Sequence, residues 1–329
     1  GMAADGASTT GFRRMLPEIP VTVEGPAEGP LLFFLHGWPD DESLWDLQCR
    51  RYAGMGYRCA RVTMPHFAKD PAVHAKVAWR KSGYSFEEVA DMLNDTVGRL
   101  SQGAPTVLVL HDWGCGWGQY AMKKYPKIAA AAVLLDVAAV DWLNIGREPT
   151  LRNYGQLLFF GYLYQFWNIA AFWLSRLPIL GGLMRRCAAV DYRNAWPYWH
   201  LHRDHLLHAL LRPFGYRWLP LWQTAAVDVF PPCPTLFVSG HPAAMLHAGP
   251  LAKALRARSD GSRAFGMDAG HWVMTDRVMM DAGHWVVADR LMKTDILKPG
   301  RPEELHEELD GFLGDLQQRG VVPAPARGK

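Results

Sequence analysis

The stretch TVLVLHDWGCGWG, residues 106–118, decides the fold of this chain. Its first five residues are an almost entirely apolar run, as expected for a strand buried on both faces of a parallel sheet. Glycines follow Asp112 closely, so that a helix can start at once and pack tightly against the strand. This order of strand, turn and helix predicts that the Asp112 side chain stands above the sheet, near the positive end of the helix.

Further apolar runs alternate with helical segments along the rest of the chain. They predict additional strands at residues 31–35, 57–62, 129–135, 234–240 and 262–267. Such alternation predicts a mostly parallel central sheet flanked by helices, in which ligands gather at the carboxyl ends of the strands. His36, Asp112 and Asp136 all follow such strand ends, and we expect them to lie on the same edge of the sheet.

The alternation stops in residues 140–221, where Trp, Tyr, Phe and Leu are frequent. We interpret this segment as a helical cap inserted between two parts of one core domain, residues 1–139 and 222–316, with a flexible tail at 317–329. Residues 157–174 are apolar over a length that raises the question of a membrane. Their aromatic and amide side chains are spread along the whole length, which favours a buried or pocket-lining helix over one that spans a membrane and leaves peripheral membrane contact open.

Composition narrows the classes of function. The chain has 329 residues, 49% of them hydrophobic, and 35 basic against 32 acidic residues, so we expect a large core and no nucleic-acid partner. Five scattered cysteines without a C-x-x-C pair predict neither a disulfide framework nor a zinc site. The polar N-terminus lacks the apolar region of a secretory signal. We therefore expect a cytoplasmic protein without a bound metal.

A second segment, HGWP at residues 36–39, also ends a predicted strand. The backbone N–H groups of Trp38 and Trp113 could both face Asp112, and two such donors make an oxyanion hole. Taken alone, Asp112 could merely cap a helix and HGWP could be an ordinary turn. Found together, they favour a nucleophile that faces two hydrogen-bond donors.

HGWPD at residues 36–40 and HDWG at 111–114 resemble the α/β-hydrolase superfamily, specifically its branch of epoxide hydrolases and haloalkane dehalogenases. GYSFEEVADML at 83–93, CPTLFVSG at 233–240 and DAGHW at 268–272 also fall where that family places them. The resemblance implies an α/β-hydrolase fold with an inserted helical cap and no cofactor. It further implies that Asp112 is a nucleophile that forms an alkyl-enzyme ester.

Hydrolysis of such an ester requires a histidine that activates water and a second carboxylate that orients the histidine. The sequence offers the histidine twice, because MDAGHWVMTDRVM at residues 267–279 recurs as MDAGHWVVADRLM at 280–292. We favour His271, which directly follows a predicted strand. His284 is the alternative, and it would require the first copy to be looped out.

The orienting carboxylate departs from the common family pattern, since the position often used is Ala243 here. The other location used in this branch holds Asp136, with Asp141 as a second candidate nearby. Leu110 is another departure, because the family has a small residue two positions before the nucleophile. A bulky side chain there predicts a less tight turn.

The resemblance also implies two cap tyrosines that donate to the oxygen of an epoxide. GYLYQFW resembles the first tyrosine segment and DYRN the second, which indicates Tyr164 or Tyr162 together with Tyr192, although aromatic residues at helical spacing also serve plain packing. A halide site would instead use the indole N–H groups of Trp113 and Trp38, but the dehalogenase pattern usually has Asn in place of Trp38. The residues predicted for the oxyanion hole and substrate contact are His36, Gly37, Trp38, Trp113 and Tyr162.

These features predict a cofactor-independent epoxide hydrolase that acts on a small hydrophobic substrate. A haloalkane dehalogenase with the same Asp112 and His271 is one alternative, since both reactions form the same intermediate. A non-catalytic or remodelled hydrolase scaffold that binds an apolar ligand is another, because one fold supports many functions. Leu110, Ala243 and the duplicated histidine loop favour that last alternative.

Overall fold

The computed structural model describes residues 16–70, 72–73, 77, 79–137, 163–187, 192–211, 231–240, 248–276 and 298–325. Seven strands in these residues form one sheet: β1 (Val21–Glu24), β2 (Leu31–Leu35), β3 (Arg58–Val62), β4 (Thr106–His111), β5 (Ala131–Leu135), β6 (Thr235–Ser239) and β7 (Arg263–Gly266). Their order across the sheet is β1-β3-β2-β4-β5-β6-β7. Only β1 is antiparallel to its neighbour, so the predicted mostly parallel sheet is confirmed.

The register of the central strands brings their carboxyl ends level. Leu35 of β2 is paired with Leu110 of β4, which in turn is paired with Leu134 of β5. All residues of these three strands are buried, as the uninterrupted apolar runs predict for strands covered on both faces. The residues that follow the three strands therefore meet at one edge of the sheet.

Helices occupy most of the intervals between the strands. Their bounds are α1 (Asp46–Gly54), α2 (Phe86–Ser101), α3 (Trp113–Lys124), α4 (Tyr164–Leu174), α5 (Pro178–Cys187), α6 (Trp196–Leu211), α7 (Ala248–Arg256) and α8 (Pro302–Gln318). Helix α2 starts with the side chain of Ser85 accepting from the N–H of Glu88, and the Glu88 carboxylate accepts from the N–H of Ser85 in return. Helices α4 to α6 lie between β5 and β6 in the chain, within the segment predicted to be a cap. The predicted boundaries of that cap lie outside the described residues.

Helix α4 differs from the buried helix that the sequence predicts over residues 157–174. Residues 157–162 lie outside the described part of the chain, and α4 covers the remainder. One face of α4 is buried, including Tyr164 and Asn168, while Phe166 and Trp167 on the opposite face are exposed. Among the described residues, no helix has both the length and the apolar character needed to cross a membrane.

Candidate active site

Asp112 occupies the turn between β4 and α3. Its backbone is at φ 50° and ψ −122°, a conformation that is costly for any residue other than glycine. Strand-to-helix turns that carry a nucleophile have a strained backbone of this kind. The turn is close to its neighbours, since a β-carbon on Gly114 would lie 2.4 Å from the carbonyl oxygen of Leu35. The Asp112 carboxylate is thereby fixed above the carboxyl end of the sheet.

The sequence predicts that Leu110 loosens this turn, but the structure shows a tight one. Its side chain is fully buried and packs against Gly118 of α3, where a β-carbon would lie only 2.4 Å from Cδ1 of Leu110. The glycine on the helix leaves the space that the large residue on the strand fills. The turn therefore remains tight, because the large residue of this contact is on the strand and the small one is on the helix.

Two backbone donors meet the Asp112 carboxylate, as the sequence predicts. The N–H of Trp38 donates to Oδ1 of Asp112 over 2.8 Å, and the N–H of Trp113 also hydrogen-bonds the carboxylate. A β-carbon on Gly37 would lie 2.3 Å from Oδ1 of Asp112 and 2.6 Å from the nitrogen of Trp113, so this position requires glycine. Two backbone donors on one carboxylate can stabilise negative charge there.

His271 lies between two carboxylates. Its Nδ1 is 2.6 Å from Oδ2 of Asp136, and its Nε2 is 3.4 Å from Oδ2 of Asp112. Asp136 is itself held in place, because its Oδ1 accepts from the N–H of Gly240 over 2.8 Å. The structure thus brings together Asp112, His271 and Asp136, three residues selected from the sequence.

The charges of this triad depend on one another. Burial alone would lower the pKa of His271, but the hydrogen bonds and charges of Asp112 and Asp136 outweigh it and raise this pKa from 6.5 to about 10. For Asp112, burial alone would raise the pKa. The hydrogen bond and the charge of His271 outweigh burial and lower the pKa of Asp112 from its usual value of 3.8. At neutral pH Asp112 is therefore an ionised carboxylate beside a protonated imidazole.

His36 has a different role from the substrate contact predicted for it. Its Nε2 accepts from the N–H of Met64 over 3.0 Å, so the proton is on Nδ1, which lies 2.8 Å from the carbonyl oxygen of Gly37 and donates to it. His36 is completely buried, and burial lowers its pKa. Because both ring nitrogens bind the backbone, the side chain positions the loop that carries Trp38.

Two tyrosines pack against Trp38, but one of them is not the predicted one. The hydroxyl groups of Tyr164 and Tyr198 are 3.2 Å apart, and their ring centroids lie 6.1 and 5.7 Å from the Trp38 ring. Tyr192 instead accepts from the indole N–H of Trp167 over 3.2 Å. Tyr192 begins a short 3-10 turn ahead of α6, whereas Tyr198 is in the first turn of α6, so the residue beside Tyr164 and Trp38 is Tyr198.

Tyr198 also contacts Trp113, with the two ring centroids 4.8 Å apart. It therefore touches both residues whose backbone N–H groups face Asp112. The sequence did contain a signal for the position of Tyr198. A proline is frequent in the first turn of a helix, so Pro197 marks the start of α6 and places Tyr198 next to it.

The indole of Trp38 is occupied within the protein. Its Nε1 donates to Oδ1 of Asn194 over 2.7 Å, and Trp38 is buried. This bond ties the loop after β2 to the 3-10 turn that precedes α6. The predicted use of the Trp38 indole as a halide donor would require the bond to Asn194 to break.

Two further residues of the site escaped the sequence analysis. The indole N–H of Trp272 donates to Oδ2 of the buried Asp40 over 2.8 Å, and the Trp272 ring is 4.9 Å from that of His271. Burial raises the pKa of Asp40 from 3.8 to about 6. Both residues belong to motifs that resemble the family, HGWPD and DAGHW, but nothing in the sequence pairs them.

Backbone hydrogen bonds join the first copy of the repeat to the residues that follow the second copy. The N–H of Gly270 donates to the carbonyl oxygen of Lys298, that of Gly300 to Thr275, and that of Arg301 to Val273. The chain thus leaves the site after the first copy and returns beside it. His284, Tyr162, Asp141 and Ala243 lie outside the described residues. Within the described parts of the chain, no cluster of three or more His, Cys, Asp or Glu could hold a metal ion.

Comparisons with known proteins agree with this architecture. Residues 32–290 match a family model described as the Alpha/beta hydrolase family. A bifunctional esterase/perhydrolase of Acinetobacter calcoaceticus is 31% identical over 125 residues, which are 38% of this chain and 42% of that protein. Epoxide hydrolase 3 of Mus musculus is 25% identical over 142 residues, 43% of this chain and 36% of the relative. The chain thus spans less than half the length of the curated relatives it matches.

A solved structure gives the same fold over nearly the whole chain. It is that of a variant of a proposed epoxide hydrolase from Pseudomonas aeruginosa, with a TM-score of 0.50 and 18% identity, and the alignment covers 94% of this chain and 98% of the other. At this level of identity the similarity concerns the fold alone.

Proposed function

This chain belongs to the Alpha/beta hydrolase family, and we propose that it is an epoxide hydrolase whose nucleophile is Asp112. The observation that carries the proposal is the pair of hydroxyl groups of Tyr164 and Tyr198, which lie 3.2 Å apart. The rings of both tyrosines contact Trp38, and the backbone N–H of Trp38 binds Asp112. Opening an epoxide requires a nucleophile on carbon and a proton donor on oxygen. The site supplies a carboxylate and two phenols.

In the first step, Oδ2 of Asp112 attacks one epoxide carbon while Oδ1 stays hydrogen-bonded to Trp38. The new ester bond forms as the bond from that carbon to the ring oxygen breaks, and the ring oxygen leaves as an alkoxide. Tyr164 and Tyr198 donate to this oxygen, and one of them gives up its proton. Because burial raises the pKa of both tyrosines, they are protonated at neutral pH and ready to donate.

Ester formation removes the negative charge of Asp112, one of the two charges that raise the pKa of His271. The pKa of His271 then falls, so it releases its proton to solvent while the tyrosinate takes one up, and the neutral imidazole can act as a base, still oriented by Asp136. It accepts a proton from water, and the hydroxide attacks Cγ of Asp112. Negative charge builds up on Oδ1, where the N–H groups of Trp38 and Trp113 stabilise it.

Collapse of this intermediate breaks the ester bond and releases the diol, whose second oxygen is the former Oδ2 of Asp112. The proton held by His271 passes to that oxygen, and the remaining proton of the water passes from the carboxyl group of Asp112 to His271, which restores the starting ion pair. The water oxygen stays on Asp112. The sum is one epoxide and one water converted to one diol.

The hydrogen bond from Trp38 to Asn194 favours this reaction over dehalogenation. A halide site formed by Trp38 and Trp113 would need both indole N–H groups as donors, but the Trp38 indole already donates to Asn194. A scaffold without catalysis is disfavoured by the contact between His271 and Asp112, because a buried, charged pair of this kind is costly to keep without a use. The aromatic rings of Trp38, Trp113, Tyr164 and Tyr198 favour an apolar substrate.

Intact-protein mass spectrometry of the His271→Gln variant tests the proposal. Without its base the enzyme is expected to trap the ester after exposure to an aromatic epoxide, with a mass increase equal to the whole epoxide. Adding Asp112→Asn should abolish the increase. In a parallel sample with a bromoalkane, an alkyl adduct and loss of bromide would establish dehalogenation instead.

His284→Gln is the matched control, because it makes the same change in the second copy of the motif. It should turn over epoxide without accumulating ester. Ester trapped by His284→Gln but not by His271→Gln would assign the base to the second copy. No adduct in either variant would reject a nucleophilic Asp112.

A further inference from the structure

The outward side of α4 carries a continuous row of exposed apolar side chains. Leu163, Phe166, Trp167 and Leu174 follow one another at helical spacing, and 53% of Phe166 and of Trp167 is exposed. A helix on the surface of a globular protein normally presents polar residues there. Here the arrangement is partly reversed, because the polar side chains of Gln165 and Asn168 are buried while the solvent side is apolar.

The row continues onto the neighbouring helices. Leu177, Ile179 and Leu183 on and before α5 are exposed, Ile179 to 86%, as are Leu206 and Leu210 on α6. Of the fifteen exposed large apolar side chains in the described residues, twelve lie between residues 163 and 210. We call these twelve side chains the outer face. Apolar patches of this extent usually mark a binding surface.

Contacts between α4 and α6 show that the outer face is continuous across these two helices. Phe166 of α4 packs on His202 of α6 with ring centroids 5.0 Å apart, and Trp173 packs on Trp199 at 5.2 Å. Helix α5 follows α4 after a turn in which the guanidinium of Arg176 lies 3.8 Å from the centre of the Phe172 ring. Aromatic, aliphatic and cationic groups thus adjoin on the same side of the protein.

The charge of this segment has a single sign. Residues 149–190 contain four arginines, at positions 152, 176, 185 and 186, and no Asp, Glu or Lys. Arginine is therefore the only charged residue type in the part of the sequence that contains α4 and α5, and on α6 Arg203 forms an ion pair with Asp204. Exposed Trp, Phe and Leu together with arginine are the composition that binds in the headgroup region of an anionic lipid layer.

We propose that the outer face binds the surface of a membrane rich in anionic lipids, with α4 and α5 lying on the bilayer. A second copy of this chain fits less well, because residues 149–190 contain no acidic residue that could pair with the arginines of the same segment in the other copy. Lipid phosphates supply the opposite charge. Binding through this face is independent of the reaction assigned to Asp112.

Vesicle flotation tests this proposal. The full chain is expected to float with phosphatidylcholine vesicles that contain about 30% phosphatidylglycerol, to float less with phosphatidylcholine alone, and to bind more weakly at about 0.5 M salt. The double variant Ile179→Glu/Leu183→Glu should bind at least about tenfold more weakly, because its carboxylates oppose both the apolar and the charge attraction. Leu206→Glu/Leu210→Glu on α6 is a second variant with the same expectation.

Leu47→Glu/Met55→Glu is the matched control, since it changes two apolar residues, 39% and 41% exposed, on and next to α1. It should float like the unchanged chain, as should Asp112→Asn, which separates binding from turnover. Absence of the unchanged chain from the vesicle fraction would overturn the proposal, as would normal flotation of both outer-face variants. A concentration-dependent dimer that these variants abolish, without vesicle binding, would assign the face to self-association instead.

Discussion

Leu110 on β4 fills the space that a side chain on Gly118 of α3 would need. A β-carbon at Gly118 would lie 2.4 Å from Cδ1 and 2.8 Å from Cδ2 of Leu110. The two residues are therefore a complementary pair, and each explains the size of the other. Their contact joins β4 and α3, the two elements that Asp112 connects.

The first prediction concerns this pair. Gly118→Ala should destabilise the protein by about 1–3 kcal/mol, because a methyl group is forced into a filled space. Leu110→Ala should cost about 2–5 kcal/mol through the cavity that it leaves. The double variant should be less destabilised than the sum of the two by at least about 0.5 kcal/mol. Urea denaturation of the four proteins measures the cycle, and strictly additive costs would show that the two positions do not share this space.

The second prediction separates the two tyrosines near α6. Tyr198→Phe should slow ester formation by about 10- to 100-fold, because it removes a donor to the leaving oxygen. Tyr192→Phe is the matched control and should change the rate less than about twofold, since its hydroxyl binds Trp167. Rapid quench with intact-mass detection gives the rate of ester formation directly. The reverse ranking would return the catalytic role to Tyr192.

The third prediction is a dependence of the intermediate on pH. The lowered pKa keeps Asp112 ionised down to about pH 4, so ester formation should be nearly constant between about pH 5 and about pH 8. Hydrolysis requires neutral His271, whose pKa remains raised by Asp136, and should slow as pH falls. The fraction of enzyme present as ester during turnover should therefore rise from about pH 8 to about pH 5. A fraction that falls over this range would contradict the role of His271 as base.

The fourth prediction concerns the buried carboxylate of Asp40. Its pKa is raised to about 6 in the folded protein, so the unfolded chain binds fewer protons between about pH 4 and about pH 6, and this group destabilises the fold progressively as pH rises. Asp40→Asn keeps an acceptor for Trp272 but cannot ionise. Relative to the unchanged protein, its free energy of unfolding should increase by about 2–3 kcal/mol from about pH 4 to about pH 7. A difference that is independent of pH would show that the fold does not raise the pKa of Asp40.

The triad could be predicted from the sequence because it follows from the topology. Asp112 and Asp136 each come after an apolar run, and parallel strands in register bring such positions to one edge. His271 could be selected over His284 because a short connection joins it to the preceding strand. In these cases local pattern and overall fold agree, so that the pattern is sufficient.

Other features depend on information that the pattern lacks. Strand β1 has four residues, none of them fully buried, and α1 contains Arg50 and Arg51 among few apolar residues, so neither gives a clear periodicity. The choice of Tyr198 over Tyr192 depends on the point where α6 starts and on the rings that each tyrosine meets. The pairing of Asp40 with Trp272 joins residues that are 232 positions apart, and only the folded chain brings them together.

The backbone bonds between residues 270–275 and 298–301 also have a consequence for the evolution of this sequence. Because the chain departs and returns at adjoining points, the length of the segment between them can change without moving His271. A tandem duplication is tolerated at such a position, whereas inside β4 or α3 it would displace Asp112. The second copy of the motif is then released from the selection that acts on the first, and its histidine is free to be lost or to acquire another use.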